Sequence, residues 1–254
     1  WLVVGAVSSD QPDRMHGWSN ACGVAKDNCL VAAGDVKVPD PHDPGKGLVV
    51  EHSTDYAAAQ VSGAAMLVQE KFPSFDGELL RQALLGSATD LGAPGVDPIY
   101  GWGRLNAEKA AKGLSRLDWG DVHLDLSSVS GGWAGDLAND ISGDGGLTIA
   151  SDGRAMLMQM HGNNTYTGTT RISGGLTLAL FGHIESDVEV GANTYLSLKD
   201  GATLGGDVRL DSGALGVGNA TGVDPPDGRP VRIDGSVSGT GNLFASESTA
   251  LTIG

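Results

Sequence analysis

Apolar runs and their spacing divide the chain into two parts with different structural signals. In the first part, residues 1–7 and 29–33 are short, nearly continuous apolar runs, typical of strands buried on both faces. Residues 57–71 are rich in alanine and are closely followed by Pro73, which predicts a helix small enough on one side to pack tightly. Alternating strand and helix signals of this kind indicate an α/β segment.

Two further helices are expected in the first part. Asp76 is placed to cap a helix whose apolar residues recur at helical spacing, namely Leu79, Leu80, Ala83 and Leu84. Residues 104–116 offer a third helix, and the α/β signals end close to residue 118.

The second part shows the period of two that marks strands with one buried face. The alternating apolar positions are Met156, Met158, Met160, Leu176, Leu178, Leu180, Val188, Val190, Leu196, Leu198, Val208, Leu210, Leu215 and Val217. Glycines interrupt the runs at 174–175, 205–206 and 213, and no helix signal intervenes. Short strands with frequent turns predict a solenoid, in which each rung covers the apolar face of its neighbour. The alternative is a β-sandwich.

Composition favours the solenoid and supports the division near residue 118. Aromatic residues make up only 5% of the chain, too few for two facing sheets, whereas 26 of the 40 glycines lie in residues 119–254. We therefore expect domains at 1–118 and 119–254. The net charge of −15 disfavours nucleic acid and anionic membrane surfaces as partners. Apolar runs stay well short of 18 residues, so we expect no transmembrane helix.

The strongest chemical signal is the segment Ser53–Ala65, which reads STDYAAAQVSGAA. It resembles the nucleophile segment of the subtilisin-like serine proteases, roughly G-T-S-x-A-A-P-x-V-S-G-A. In that family the serine opens a buried helix, whose N-terminus favours developing negative charge. The resemblance implies that residues 1–118 are the C-terminal part of a subtilisin-like parallel-sheet α/β domain.

The same resemblance extends to both sides of this segment, in the family's order. Upstream, residues 4–7 (VGAV), 18–20 (WSN) and 30–34 (LVAAG) are similar to the VGAV, F-S-N and L-x-A-P-G stretches of the family. Downstream, residues 100–107 (YGWGRLNA) are similar to its closing Y-G-x-G-x-x-N-A segment. Together these motifs cover residues 1 to about 112.

Two departures from the family pattern bear on catalysis. Asp55 occupies the position of the family's nucleophilic serine, and Ala59 replaces its proline. The chain contains no H-G-T-H-like segment, so the family's catalytic aspartate, histidine and oxyanion asparagine are expected N-terminal to this chain. We interpret Asp55 as a helix cap at a former nucleophile site. Ser53 precedes the expected helix, which argues against it as a substitute nucleophile.

The remaining polar candidates have simpler interpretations. The six histidines, found in turn-like or polar contexts, are interpreted as surface residues: His16, His42, His52, His123, His161 and His183. Cys22 and Cys29 resemble an insert of the autotransporter branch of the family. A disulfide between them would imply an oxidising compartment, and a pair of reduced thiols is the alternative. We expect no metal site and no cofactor.

The second part resembles the autotransporter-associated β-strand repeat. The match lies in residues 145–149 (GGLTI) and 161–176 (HGNNTYTGTTRISGGL), and it implies a right-handed parallel β-helix. By this resemblance the chain is a fragment of a secreted or cell-surface endopeptidase of a Gram-negative bacterium that acts on proteins outside the cell. A C-terminal outer-membrane barrel is expected in the parent. The alternative is a pseudo-protease or adhesin passenger that binds host-surface proteins.

Overall fold

The computed structural model describes residues 1–40, 42, 43, 45, 47–199, 201–218, 229–245 and 250–254. It divides into two compact units. The first contains Trp1–Glu70 and Leu80–Ala111, and the second contains Lys71–Leu79 and Lys112–Gly254. The domain boundary at residue 118 stays a prediction. Among the described residues, no helix has both the length and the apolar character needed to cross a membrane.

The first unit is built on parallel strands. Strand β1 (Val3–Val7) pairs in parallel with β2 (Cys29–Ala33), and the backbone at 103–105 continues the sheet beyond β2. Val31 donates its backbone N–H to Gly103, and Leu105 donates back to Val31. Both strands expected from the apolar runs are thus confirmed, although β1 begins at Val3. The parallel pairing agrees with the predicted α/β class.

An antiparallel hairpin that the sequence analysis did not predict follows β2. Its strands are β3 (Asp35–Pro39) and β4 (Leu48–His52), and the first pair in their register is Asp35 with His52. Apolar residues on both sides of a segment rich in proline, aspartate and glycine were the available signal. The hairpin ends one residue before helix α1.

The first two predicted helices are confirmed, and the third is wrong in length. Helix α1 covers Thr54–Lys71, and helix α2 covers Gly77–Gly86 with Asp76 accepting hydrogen bonds from the first-turn backbone. Helix α3 is only Ala107–Ala110. Gly113 has a φ of +95°, a left-handed conformation that ends helices, and the chain turns there into a strand. A short 3₁₀ helix covers Gly23–Asn28.

The second unit contains three parallel sheets in which each strand pairs with the third strand along the chain. The first sheet comprises β6 (Val122–Asp125), β9 (Leu147–Ala150), β12 (Thr170–Ser173), β15 (Val188–Val190), β18 (Val208–Leu210) and β21 (Val237–Gly239). The second comprises β7 (Trp133–Leu137), β10 (Met156–Met160), β13 (Leu176–Leu180), β16 (Tyr195–Leu198), β19 (Ala214–Val217) and β22 (Asn242–Ala245). The third comprises β11 (Asn163–Asn164), β14 (His183–Ile184), β17 (Thr203–Leu204), β20 (Val231–Ile233) and β23 (Leu251–Ile253). A short pair joins β5 (Arg116–Leu117) to β8 (Ser142–Gly143).

The period-two pattern defines the interior of these sheets. The predicted inward positions of β10, β13, β15, β16, β18 and β19 are all at most 3% exposed, which confirms the assignment of the buried face. Met156, Met158 and Met160 stack in register on Leu176, Leu178 and Leu180. Each strand therefore covers the apolar face of the one before it, so burial depends on the stacking of consecutive rungs.

A buried polar chain lies among these apolar layers. The hydroxyl of Tyr166, which is fully buried, lies 2.6 Å from the Thr170 hydroxyl, and the latter lies 3.1 Å from that of Ser186. Nearby, Asn164 accepts a hydrogen bond from the backbone of Ile141 and donates to the carbonyl of His183. Satisfied groups of this kind avoid the cost of burying a polar atom without a partner.

We predict that alkali destabilises the second unit through Tyr166. Burial raises the pKa of this phenol to about 12, although hydrogen bonds from Thr170 and Ser186 act in the opposite direction. The unfolded chain ionises near pH 10, so the stabilisation is complete below that pH and is lost as pH rises towards 12. The loss in unfolding free energy should reach about 2–3 kcal/mol, measured by urea denaturation across this range.

The Tyr166→Phe variant provides the control for this titration. It lacks the ionisable group, so its stability should change less between pH 10 and 12, even though removal of the hydroxyl leaves Thr170 without one partner. Equal alkaline slopes in the two proteins would contradict the assignment.

Candidate functional site

The site predicted from the subtilisin-like segment lies at the N-terminus of helix α1, next to the end of strand β2. Ser53 donates its backbone N–H to the carbonyl of Gly34, and the Gln60 amide donates to the carbonyl of Ala33 at 2.8 Å. These two bonds fix the start of α1 against the carboxyl end of β2. Open α/β sheets hold their ligands at this end of the strands, so Asp55 occupies the expected place for a reacting group.

The first turn of α1 is capped by Ser53 rather than by Asp55. The Ser53 hydroxyl accepts a hydrogen bond from the backbone N–H of Asp55 at 3.0 Å. Asp55 is the second residue of the helix, and its exposed side chain lies near the positive end of the helix dipole. The interpretation of Asp55 as the cap is therefore wrong in detail, because Ser53 supplies the capping oxygen and Asp55 supplies a favourable charge.

The small residues of α1 allow the helix to pack closely. Its buried face consists of Ala57, Val61, Ala64 and Val68, spaced three or four residues apart. Ala59, at the position of the family's proline, is exposed. The predicted nucleophile position is thus carried on a helix whose buried face consists of small and branched apolar residues.

Two histidines converge on one carboxylate just before this helix. His52 Nδ1 lies 2.6 Å and His16 Nε2 lies 2.7 Å from the same oxygen, Asp35 Oδ1. The other carboxylate oxygen accepts hydrogen bonds from the backbone N–H and the hydroxyl of Ser9. The Asp35 side chain is only 7% exposed, and Trp18 stacks on the His16 ring at 4.6 Å. We call His16, Asp35 and His52 the His-Asp-His cluster.

The surroundings of Asp35 strongly favour its ionised form. Burial would raise the pKa of this carboxyl, but hydrogen bonds from the Ser9 backbone N–H and the His52 ring, together with the electrostatic effect of His16, outweigh burial. The result is a pKa lowered from 3.8 to about 2. Asp35 therefore stays negatively charged throughout the physiological pH range.

The two cysteines form a disulfide in this structure, with a separation of 2.04 Å between their Sγ atoms. The bridge closes the 3₁₀ helix Gly23–Asn28 onto β2. Cys22 donates its backbone N–H to the carbonyl of Ile99, the residue before the closing motif, and Trp102 of that motif donates to the carbonyl of Cys29. The disulfide holds the closing motif against the sheet.

A comparison with known protein families finds a similarity in the part of the chain that contains Asp55. The model of the subtilase family, Peptidase S8, matches residues 1–103, which include α1 and Asp55. Residues 1–103 are therefore similar to the subtilase family. The subtilase match thus covers β1, β2, the hairpin, α1 and α2, the elements that position the nucleophile segment.

Individual relatives extend the similarity beyond the subtilase segment. The Neisserial autotransporter lipoprotein NalP of Neisseria meningitidis is 39% identical over 193 residues, covering 76% of this chain and 17% of that protein. Serotype-specific antigen 1 of Mannheimia haemolytica is 36% identical over 120 residues, covering 45% of this chain and 13% of that protein. An extracellular serine protease of Serratia marcescens is 29% identical over 212 residues, 71% of this chain and 20% of that protein. The chain thus spans at most one fifth of each of these relatives.

Sequence analysis located Asp55, Cys22 and Cys29 but missed the His-Asp-His cluster. His16 follows β1, Asp35 begins β3 and His52 ends β4, so the three residues are separated by 19 and 17 positions. The interpretation of every histidine as a surface residue was right only for His42, His52 and His123, because His16, His161 and His183 are partly buried. It overlooked that the antiparallel register pairs Asp35 with His52.

Proposed function

We propose that this chain is part of an autotransporter-type subtilase, from a family of serine endopeptidases that act on proteins outside the cell, and that Asp55 silences acyl transfer in this member. One observation carries the proposal. Within the subtilase segment, the residue at the nucleophile position of α1 is an aspartate, held at the carboxyl end of the sheet. A carboxylate there places negative charge where an oxyanion would develop, and it offers no hydroxyl for a histidine to deprotonate.

Localisation outside the cell is supported by the relatives and by the disulfide. One relative is named an autotransporter lipoprotein and another an extracellular serine protease. Disulfides persist in oxidising compartments, and the Cys22–Cys29 bridge is consistent with such a location. We therefore propose a secreted or cell-surface protein.

For residues 119–254 we propose a right-handed parallel β-helix that serves as a passenger stalk. Its support is the recurrence of pairing between every third strand in three parallel sheets, together with an interior built from the period-two residues. We place the domain boundary near residue 118, just before the first strands of these three sheets.

The proposed silence of the site is tested by activity-based labelling. The complete secreted protein that carries this chain should show no covalent labelling by a fluorophosphonate probe, because position 55 lacks a nucleophilic hydroxyl. An active subtilase labelled in parallel verifies the probe. Labelling at Ser53, Thr54 or any other residue of the α1 N-terminus would contradict the proposal.

A pseudo-protease with a binding role is the second candidate. The specific observation in its favour is that Ser53 serves as the helix cap, so the hydroxyl nearest to Asp55 in sequence has a structural function. Host-surface proteins are then the partner class. The two candidates predict different results for Asp55→Ser in the complete protein. The endopeptidase variant should become labelled, whereas the pseudo-protease variant should stay unlabelled.

A further inference from the structure

We propose that the His-Asp-His cluster binds one divalent transition-metal ion of the zinc type. The ligand atoms are His16 Nε2, Asp35 Oδ1 and His52 Nδ1, which lie within 4.8 Å of one another. This inference goes beyond the proposed function and does not depend on the chemistry of Asp55.

The spacing of the three atoms is close to what a metal requires. Zinc bound at about 2.0–2.1 Å in a tetrahedral arrangement holds its ligands about 3.3 Å apart. The two N–O separations in the structure are 2.7 and 2.6 Å, so each side chain needs to move by less than about 1 Å to admit the ion. Rotations of this size are available to His52, whose side chain is half exposed.

The orientation of His16 supports a ligand other than the carboxylate. Its Nε2 atom is buried and lies 2.7 Å from Asp35 Oδ1, yet it makes no hydrogen bond within the described part of the chain. A buried polar atom without a partner is costly. A metal ion beside Oδ1 would satisfy this nitrogen and would complete the coordination of the ionised carboxylate.

Groups around the cluster hold the ligands in place, as groups around metal sites commonly do. Ser9 fixes the second Asp35 oxygen through its backbone N–H at 2.9 Å and its hydroxyl at 3.2 Å. Trp18 stacks on the His16 ring, and the β3–β4 register fixes Asp35 opposite His52. The site is therefore built from positioned side chains on three different backbone segments.

The donor set determines the class of ion. Two imidazoles and one carboxylate suit zinc and its neighbours, whereas calcium and magnesium prefer oxygen ligands. Three protein ligands leave a fourth position for water, and the exposure of His52 gives solvent access to it. Because the ion would join the loop after β1 to both strands of the hairpin, binding should also stabilise the first unit.

The test uses the tag-free 254-residue chain after chelator treatment. Titration with Zn²⁺ by calorimetry should show one ion bound per chain, and Co²⁺ should report nitrogen and oxygen coordination through its visible absorption. His16→Ala and His52→Ala should each weaken Zn²⁺ affinity about 100-fold or more, while Ser9→Ala should weaken it about tenfold. Excess Ca²⁺ should leave Zn²⁺ binding unchanged.

His42→Ala is the matched control, because His42 is an exposed histidine between the same two hairpin strands and lies outside the cluster. It should retain full affinity. Far-UV circular dichroism checks folding of every variant, and the half-exposed His52 decides the outcome if the buried positions do not tolerate substitution. No stoichiometric Zn²⁺ binding by the unaltered chain, or equal affinity in His52→Ala and the unaltered chain, would overturn the proposal.

Discussion

Asp55→Ser in the complete secreted protein is expected to convert an unlabelled protein into one labelled by a fluorophosphonate at position 55. The substitution supplies a hydroxyl at the start of α1, where the dipole and the backbone N–H groups of the first turn favour negative charge. It also removes the carboxylate that would repel an oxyanion. Loss of the nucleophile in a subtilisin-type enzyme costs about 10⁶-fold in kcat, so the gain in peptidase activity should be of comparable size.

Two control variants isolate the nucleophile in this experiment. Asp55→Ala removes the charge without supplying a hydroxyl, and it should stay unlabelled. Ser53→Ala combined with Asp55→Ser should still be labelled, although the loss of the cap should cost about 0.5–2 kcal/mol of stability. If Asp55→Ser remains unlabelled and folded, the endopeptidase proposal fails and the pseudo-protease becomes the better account.

The second large effect is expected from Gly174→Ala in the stacked sheets. Gly174 has a φ of +82°, and a Cβ added there would overlap the backbone carbonyl oxygen of Ser151 on the preceding rung. The left-handed conformation costs a non-glycine residue about 1–2 kcal/mol, and relief of the overlap adds about 1–3 kcal/mol. Urea denaturation followed by circular dichroism should show a total loss of about 2–5 kcal/mol.

Gly153→Ala separates the two contributions to this loss. Gly153 has a similar φ of +95°, but a Cβ added there meets no atom within 4 Å among the described residues. Its substitution should therefore cost only the conformational part, about 1–2 kcal/mol. Equal losses in the two variants would show that close approach between rungs is not what requires glycine at position 174.

The order of local motifs was sufficient to predict most secondary structure around the candidate site. The Ala-rich run predicted helix α1, and the apolar runs predicted β1 and β2. The subtilase family model also matches the segment that contains Asp55. Helix α3 is shorter than predicted. Gly113 adopts a left-handed conformation that prevents the helix from continuing, and the helical spacing of its neighbours did not reveal this. Local spacing thus predicts where a helix is favoured more reliably than where it ends.

The sequence by itself determined which residue type stands at key positions and which alternating residues share a face. It placed Asp55 where the family has serine, and it assigned the alternating methionines and leucines of the second unit to one buried face. The first conclusion depends on the resemblance of the segment to the family. The second depends on local period, since side chains two apart in a strand share a face whatever the strand packs against.

Tertiary structure alone decided which distant residues meet. Ser53, rather than Asp55, caps α1, because the cap depends on the backbone conformation where the hairpin joins the helix. His16, Asp35 and His52 come together through the β3–β4 register and the loop that follows β1. Such contacts depend on strand pairing and loop path between residues far apart in sequence, and no local period carries that information.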